Sequence, residues 1–149
     1  MNLAEMEKRL KVLEDIEAIR QMHNEYLFCL NNCEWGAMSD YFTADASVSI
    51  HEKRRGRKEI LKLFTDVISK LNTGNFRDAH FAVQPVIQVD GDKAKSHWLI
   101  YVFVHDPATG LARKLVCGRY DCEYAQEKDG WKFTSMIYTA PWPPPPGSR

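Results

Sequence analysis

The stretch RKEILKLFTDVISKLNTGNFRDAHFAVQPVIQV, residues 57–89, decides the fold class, because the hydrophobic period changes inside it. Ile60, Leu61, Phe64, Ile68 and Leu71 recur at spacings of three and four, which predicts a helix with one apolar stripe. From Phe76 onward, β-branched and aromatic residues dominate, and VQPVIQV reads as a strand. Between the two regimes lies NTGN (72–75), whose asparagines and glycine suit a helix end and the turn after it. A lone histidine, His80, opens the strand side.

Toward the N-terminus the chain stays helical in pattern. Gly56 is predicted to turn the backbone into the helix just described, and Ala46 to His51 alternates weakly as a strand. A short helix is expected from Glu34 to Tyr41, and a long one from Leu3 to Leu30 with Leu13, Ile16, Ile19, His23, Tyr26 and Leu30 on its apolar face. Toward the C-terminus, SHWLIYVFV, RKLVCGRYDCEY and WKFTSMIY are strand-like runs, separated by the turn sequences DGDK, HDPATG and EKDG. Helices first and a meander afterwards predict an α+β domain, with three N-terminal helices packed on an antiparallel sheet. The domain is expected to span residues 1–142, followed by a Pro-rich tail over 143–149 of polyproline character.

Composition narrows the function classes. A chain of 149 residues is long enough for one core and short for two. Twenty basic and twenty acidic residues cancel, and the basic run KRRGRK at 53–58 is local, so charge gives no support for a nucleic-acid partner. The first residues are charged and helical in pattern, with no apolar signal core, and no apolar run is long enough for a membrane span. The expected location is therefore the cytoplasm. Cys29, Cys33, Cys117 and Cys122 form no CxxC pair and match no common zinc spacing, so reduced thiols and no metal are expected. In SHWLIYVFV both alternating sets are apolar, Trp98, Ile100, Val102 and Val104 on one face and Leu99, Tyr101 and Phe103 on the other. Such a strand is covered on both sides, and a homodimer through the outer face of the sheet is expected.

The segments AIRQMHNEYLFCLNNCEWGAMSDYFTADASV and GRYDCEYAQEKDGWKF, with the Gly56 turn and its helix, resemble the SnoaL-like group of the nuclear-transport-factor-two-like superfamily. The resemblance covers about Leu13 to Trp142 and agrees in element order. It implies a cone, three helices packed into a strongly curved antiparallel sheet around an apolar pocket, with frequent dimerisation. The group includes polyketide cyclases, dehydratases, a dehydrochlorinase, isomerases and non-catalytic subunits of ring-hydroxylating dioxygenases, so the fold does not choose the reaction.

Carried over residue by residue, the resemblance matches Tyr26 to a pocket tyrosine of the bile-acid dehydratase members, and His80 to their pocket histidine and to that of the dehydrochlorinase. The aspartate that those enzymes place five residues after the tyrosine falls on Asn31. A second aspartate falls near Val102, and an arginine near Tyr138 or Thr139. The candidate catalytic set is thus His80, Tyr26 and Asn31, with Trp35, Trp98, Val102, Tyr120 and Tyr138 expected to contact substrate. In a metal-free, cofactor-free pocket the base would be a neutral imidazole. A carboxylate on its other nitrogen fixes the tautomer and stabilises the imidazolium; asparagine offers an oxygen without the charge, and its NH₂ could select the wrong tautomer. Asp40, Asp78 or Asp121 could bring a carboxylate from elsewhere. Plainer roles stand beside these: a helix C-cap for Asn31, a core tyrosine for Tyr26, a backbone-bonded strand-end histidine for His80. Two function classes follow, a lyase, isomerase or cyclase for an apolar or polycyclic small molecule, and a non-catalytic ligand-binding or assembly module.

Overall fold

The computed structural model describes residues 2–71, 76–142 and 145–147. The NTGN helix stop at 72–75 and most of the Pro-rich tail lie outside the described residues. Helix α1 spans Leu3–Asn31 and opens on a capping box, in which the Asn2 side chain accepts from the Glu5 backbone N–H and the Glu5 side chain accepts in return. Helix α2 (Trp35–Ser39) follows, then β1 (Phe42–Ile50), β2 (Glu52–Arg55), α3 (Arg57–Lys62), β3 (Arg77–Asp90), β4 (Lys93–His105), β5 (Ala112–Glu127) and β6 (Gly130–Thr139). The six strands form one sheet in the order β2-β1-β6-β5-β4-β3. The meander β3 to β6 is antiparallel as the turn sequences require, whereas β1 joins β6 in parallel. That pairing is mixed because the chain crosses from the helical half to the far side of the meander before returning.

Two local departures from the expected elements shape the interior. Helix α3 does not run on regularly to Leu71: a π turn over Leu63–Val67 and a 3-10 turn over Ile68–Lys70 continue it. The widened turn buries the adjacent pair Leu63 and Phe64 together, so Leu63 takes the buried place expected of Leu61. In β3 the register shifts between Val83 and Val86, with Gln84 at φ 53° and both Gln84 and Pro85 opposite Trp98. This bulge on an edge strand tolerates a proline and exchanges the two faces: His80 and Ala82 point inward before it, Ile87 and Val89 after it.

Helix α1 is about 43 Å long at 1.5 Å per residue, longer than the sheet can cover. Its first turns lie at the surface, with Leu3, Met6, Leu10 and also Leu13 exposed, against the expectation for Leu13. The buried face begins at Asp15, whose carboxylate accepts from Trp131 Nε1 at 3.0 Å and pairs with Lys11, and continues through Ile19, Met22, His23, Tyr26, Leu27 and Leu30. These residues meet Phe42, Tyr124, Phe133 and Met136 from the sheet, with ring centroids 5.1–5.7 Å apart in the Tyr26–Phe42–Phe133 group. Edge-on aromatic contacts of this kind add to the burial of apolar area. One end of the inner face is therefore filled solid by α1.

Candidate functional site

The other end of the inner face is open, because α1 stops at Asn31 while β3, β4 and β5 run on past it. The uncovered sheet, the distorted end of α3 and the chain after β6 enclose a cavity of about 1000 Å³. Its apolar wall includes Leu30, Ile50, Phe64, Val102 and Val116, and its polar groups include Asp78, His80, Lys114, Tyr120 and Tyr138. This volume and mixed lining suit a small organic ligand. Gly118 helps form it: a Cβ there would lie 2.6 Å from the Thr139 carbonyl oxygen and 3.1 Å from Ala140 Cβ, so only glycine lets the end of β6 close over β5. Beyond that crossing, Pro141 and the half-exposed Trp142 form part of the rim.

His80 is held by Asn31 at three points. Asn31 Oδ1 accepts the His80 backbone N–H at 2.7 Å, and Asn31 Nδ2 donates to the His80 carbonyl at 3.1 Å. A residue's own N–H and C=O point to the same side of a strand, and β3 is an edge strand, so the amide of Asn31 completes an otherwise open edge. An aspartate could accept the N–H but could not donate to the carbonyl. Both roles of the amide are fixed by backbone groups, so its orientation is determined. Oδ1 then lies 3.1 Å from His80 Nδ1, which must be the protonated nitrogen, and Nε2 is left with its lone pair. Arg77 Nη2 donates to the Asn31 carbonyl at 2.8 Å and places a cation at the C-terminus of α1. Burial pushes the His80 pKa down, against a smaller opposing pull from the Asp78 charge. The imidazole is neutral at pH 7.

The remaining expected site residues divide between the cavity and the core. Val102, Tyr120 and Tyr138 line the cavity with His80. Asn31 does not line it: its NH₂ is spent on the His80 carbonyl, and the helix C-cap is Asn32. Tyr26 is fully buried behind the wall, its hydroxyl donating to Met136 Sδ at 3.7 Å. Tyr120, one layer further out, presents the hydroxyl that the sequence assigns to Tyr26. Trp98 is covered by the His23 ring at a centroid distance of 4.1 Å, and its Nε1 donates to Ser96 Oγ at 2.8 Å and Tyr124 Oη at 3.2 Å. No face of that indole is free for a ligand. Trp35 stacks on Phe64 at 6.1 Å and so supports the cavity wall from behind.

The polar lining also includes Asp78, one of the three carboxylates considered from sequence, and Lys114 and His51, which sequence reasoning did not single out. Asp78 shares the inward face of β3 with His80, two residues away, and its Oδ1 is buried without a hydrogen-bond partner. Lys114 on β5 and His51 in the turn between β1 and β2 line the wall as well. The i, i+2 relation of Asp78 to His80 is the sequence signal that points to the first of them. Asp40 and Asp121, the other carboxylates considered, face elsewhere: Asp40 pairs with Arg57 at 3.8 Å, and Asp121 pairs with Arg119 at 2.9 Å and with His97 on the outer face. Among the described residues, no three His, Cys, Asp or Glu side chains cluster as metal ligands, and no helix is long and apolar enough to cross a membrane.

Comparison with known proteins fixes the family. The model of the SnoaL-like domain matches residues 11–137. The chain belongs to the SnoaL-like domain family. This SnoaL-like chain is also similar to a nuclear-transport-factor-two-like protein with a cystatin-like fold from Novosphingobium aromaticivorans, at 21% identity and a TM-score of 0.78, covering 99% of this chain and 92% of that one. It is similar to a hexachlorocyclohexane dehydrochlorinase from Novosphingobium barchaimii at 17% identity and a TM-score of 0.73, covering 92% and 94% of the two chains. Among curated proteins, none matches it significantly in sequence. At these identities the structural likenesses establish the cone-shaped α+β fold and leave the reaction to the site.

Proposed function

We propose that this SnoaL-like protein is a cofactor-independent lyase, isomerase or cyclase acting on a small apolar or polycyclic molecule, with His80 as the proton-transfer base. The observation that carries this reading is the Asn31 clamp, which fixes the Nδ1–H tautomer of a neutral imidazole in the wall of a large cavity. A neutral Nε2 takes a proton from carbon next to a carbonyl, or as a leaving group departs. Positive charge then develops on the ring, and Asn31 Oδ1 stabilises it as a dipole, more weakly than a carboxylate would. Tyr120 and Tyr138 are the donors for the oxyanion that forms on the substrate. No step needs a metal or an organic cofactor.

The test compares native protein with His80→Ala on hydroxy-ketones, steroids and polyketide-like aromatics. Loss of roughly 100-fold or more in turnover is expected. Unchanged turnover in His80→Ala would overturn the assignment of the base. Turnover by neither protein, with ligand still bound, would favour the binding-module reading.

The protein is further proposed to work as a homodimer through the outer face of its sheet, in the cytoplasm. Phe81, Val83, Val86 and Ile137 are 51%, 40%, 57% and 46% exposed there, and Phe81 meets Phe103 edge-on at 5.5 Å. Together with Leu99 and Tyr101 they form an apolar band of the kind that meets another subunit. Light scattering at micromolar concentration should give twice the chain mass, falling to the monomer in Phe81→Glu; a native monomer would contradict it. Four free thiols suit a reducing compartment.

A further inference from the structure

We propose that Asp78 is the specificity anchor of the cavity and that it selects a neutral ligand carrying a hydroxyl on an apolar ring system. This rests on the cavity being the ligand site, as proposed above, but not on any turnover there. Asp78 lines the cavity, and its Oδ1 is buried with no hydrogen-bond partner, although neighbouring polar groups are engaged: Asn31 with His80, Tyr26 with Met136. A carboxylate with one buried, donor-less oxygen is costly, and a donor brought to its cavity side offsets part of that cost. Asp78, His80 and Tyr138 all line this one cavity.

The wall chemistry narrows the donor. An anionic ligand would meet the Asp78 carboxylate, and a cationic one would meet Lys114 in the same cavity. A neutral hydroxyl avoids both repulsions and donates to the Asp78 carboxylate from its cavity side. Asp78 and His80 are two residues apart on one strand face, a separation of about 7 Å. A single ring fits between them with its hydroxyl on Asp78 and an adjacent carbon toward His80, while Leu30, Phe64, Val102 and Val116 take its apolar faces.

Three probes of one shape test this: 2-naphthol, naphthalene and 2-naphthoate, with binding followed by calorimetry or tryptophan fluorescence on the full chain. In native protein 2-naphthol should bind about 10-fold or more tighter than naphthalene, as expected for a hydrogen bond to a charged acceptor, and 2-naphthoate weakest. Asp78→Leu should bring 2-naphthol and naphthalene level. Asp78→Asn, which preserves shape if the leucine variant does not fold, should relieve the penalty on 2-naphthoate. Equal binding of 2-naphthol and naphthalene by native protein, or a preference for 2-naphthol that survives in folded Asp78→Leu, overturns the proposal. Because the readout is binding, loss of turnover in His80→Ala has no bearing on it, and failure of the base leaves this result intact.

Discussion

Two histidines lie against the inner side of this sheet, and their surroundings give them opposite work. His23 sits where α1 fills the interior: it is fully buried, with Trp98, Phe133 and Tyr26 rings at 4.1, 5.3 and 6.0 Å, and its Nε2 has no hydrogen-bond partner. Burial pushes its pKa down to about 3. His80 sits where α1 has ended, with one nitrogen on Asn31 and the ring in the cavity wall. Burial keeps both imidazoles neutral, but a base also needs a fixed tautomer and space for a ligand. Only His80 has them.

The largest effect that separates the two is on stability. His23→Ala should destabilise by about 3 kcal/mol in urea unfolding, since it empties a closed aromatic cluster, whereas His80→Ala, at a cavity that already exists, should cost about 1 kcal/mol or less. Equal losses would erase the distinction between packed and open ends. Next in size is Asn31→Ala, which strips the partner from the His80 N–H and carbonyl on the edge strand and should cost about 2 kcal/mol. Asn31→Asp should recover the acceptor but not the donor, restoring part of that stability while raising the His80 pKa through its added charge.

Acid supplies a finer test. The pKa of His23 is about 3 in the folded protein against an ordinary 6.5, so between those values the unfolded chain binds a proton that the folded one does not. Stability contributed by neutral His23 is complete above pH 6.5 and declines as pH falls toward 3, by about 1.4 kcal/mol per unit. His80 acts in the same direction. Replacing His23 by Phe should flatten the dependence of the urea midpoint on pH in this window. An unchanged slope would show that His23 is not the group responsible.

The contrast between the two ends also explains what the sequence could reveal. The change of period at 72–76, the turn sequences and the alternation in SHWLIYVFV are local properties, and they specify the helices, the meander and the sidedness of β4. The family resemblance points to Tyr26, which lies one layer behind the cavity residue Tyr120. That layer was not legible, because Tyr26 and Tyr120 both face inward and only the end point of α1 decides which reaches open volume. The same holds for Trp98, an inward residue on the filled side. The bulge at Gln84–Pro85 reverses the faces of β3 without breaking the apolar pattern, and the parallel partnership of β1 with β6 is a long-range choice. The role of Asn31 was hidden for a related reason. Its amide matters for the backbone of a residue 49 positions away, which helix periodicity cannot register.

The central claim is that Asn31 holds His80 as a neutral imidazole protonated on Nδ1. Long-range nitrogen–proton NMR of the histidine rings reports this directly, with His80→Gln for assignment. At pH 7 the account predicts a His80 pattern with the proton on Nδ1 and a free Nε2, reverting toward a tautomer mixture in Asn31→Ala. A His80 ring protonated on Nε2, or on both nitrogens, would contradict it.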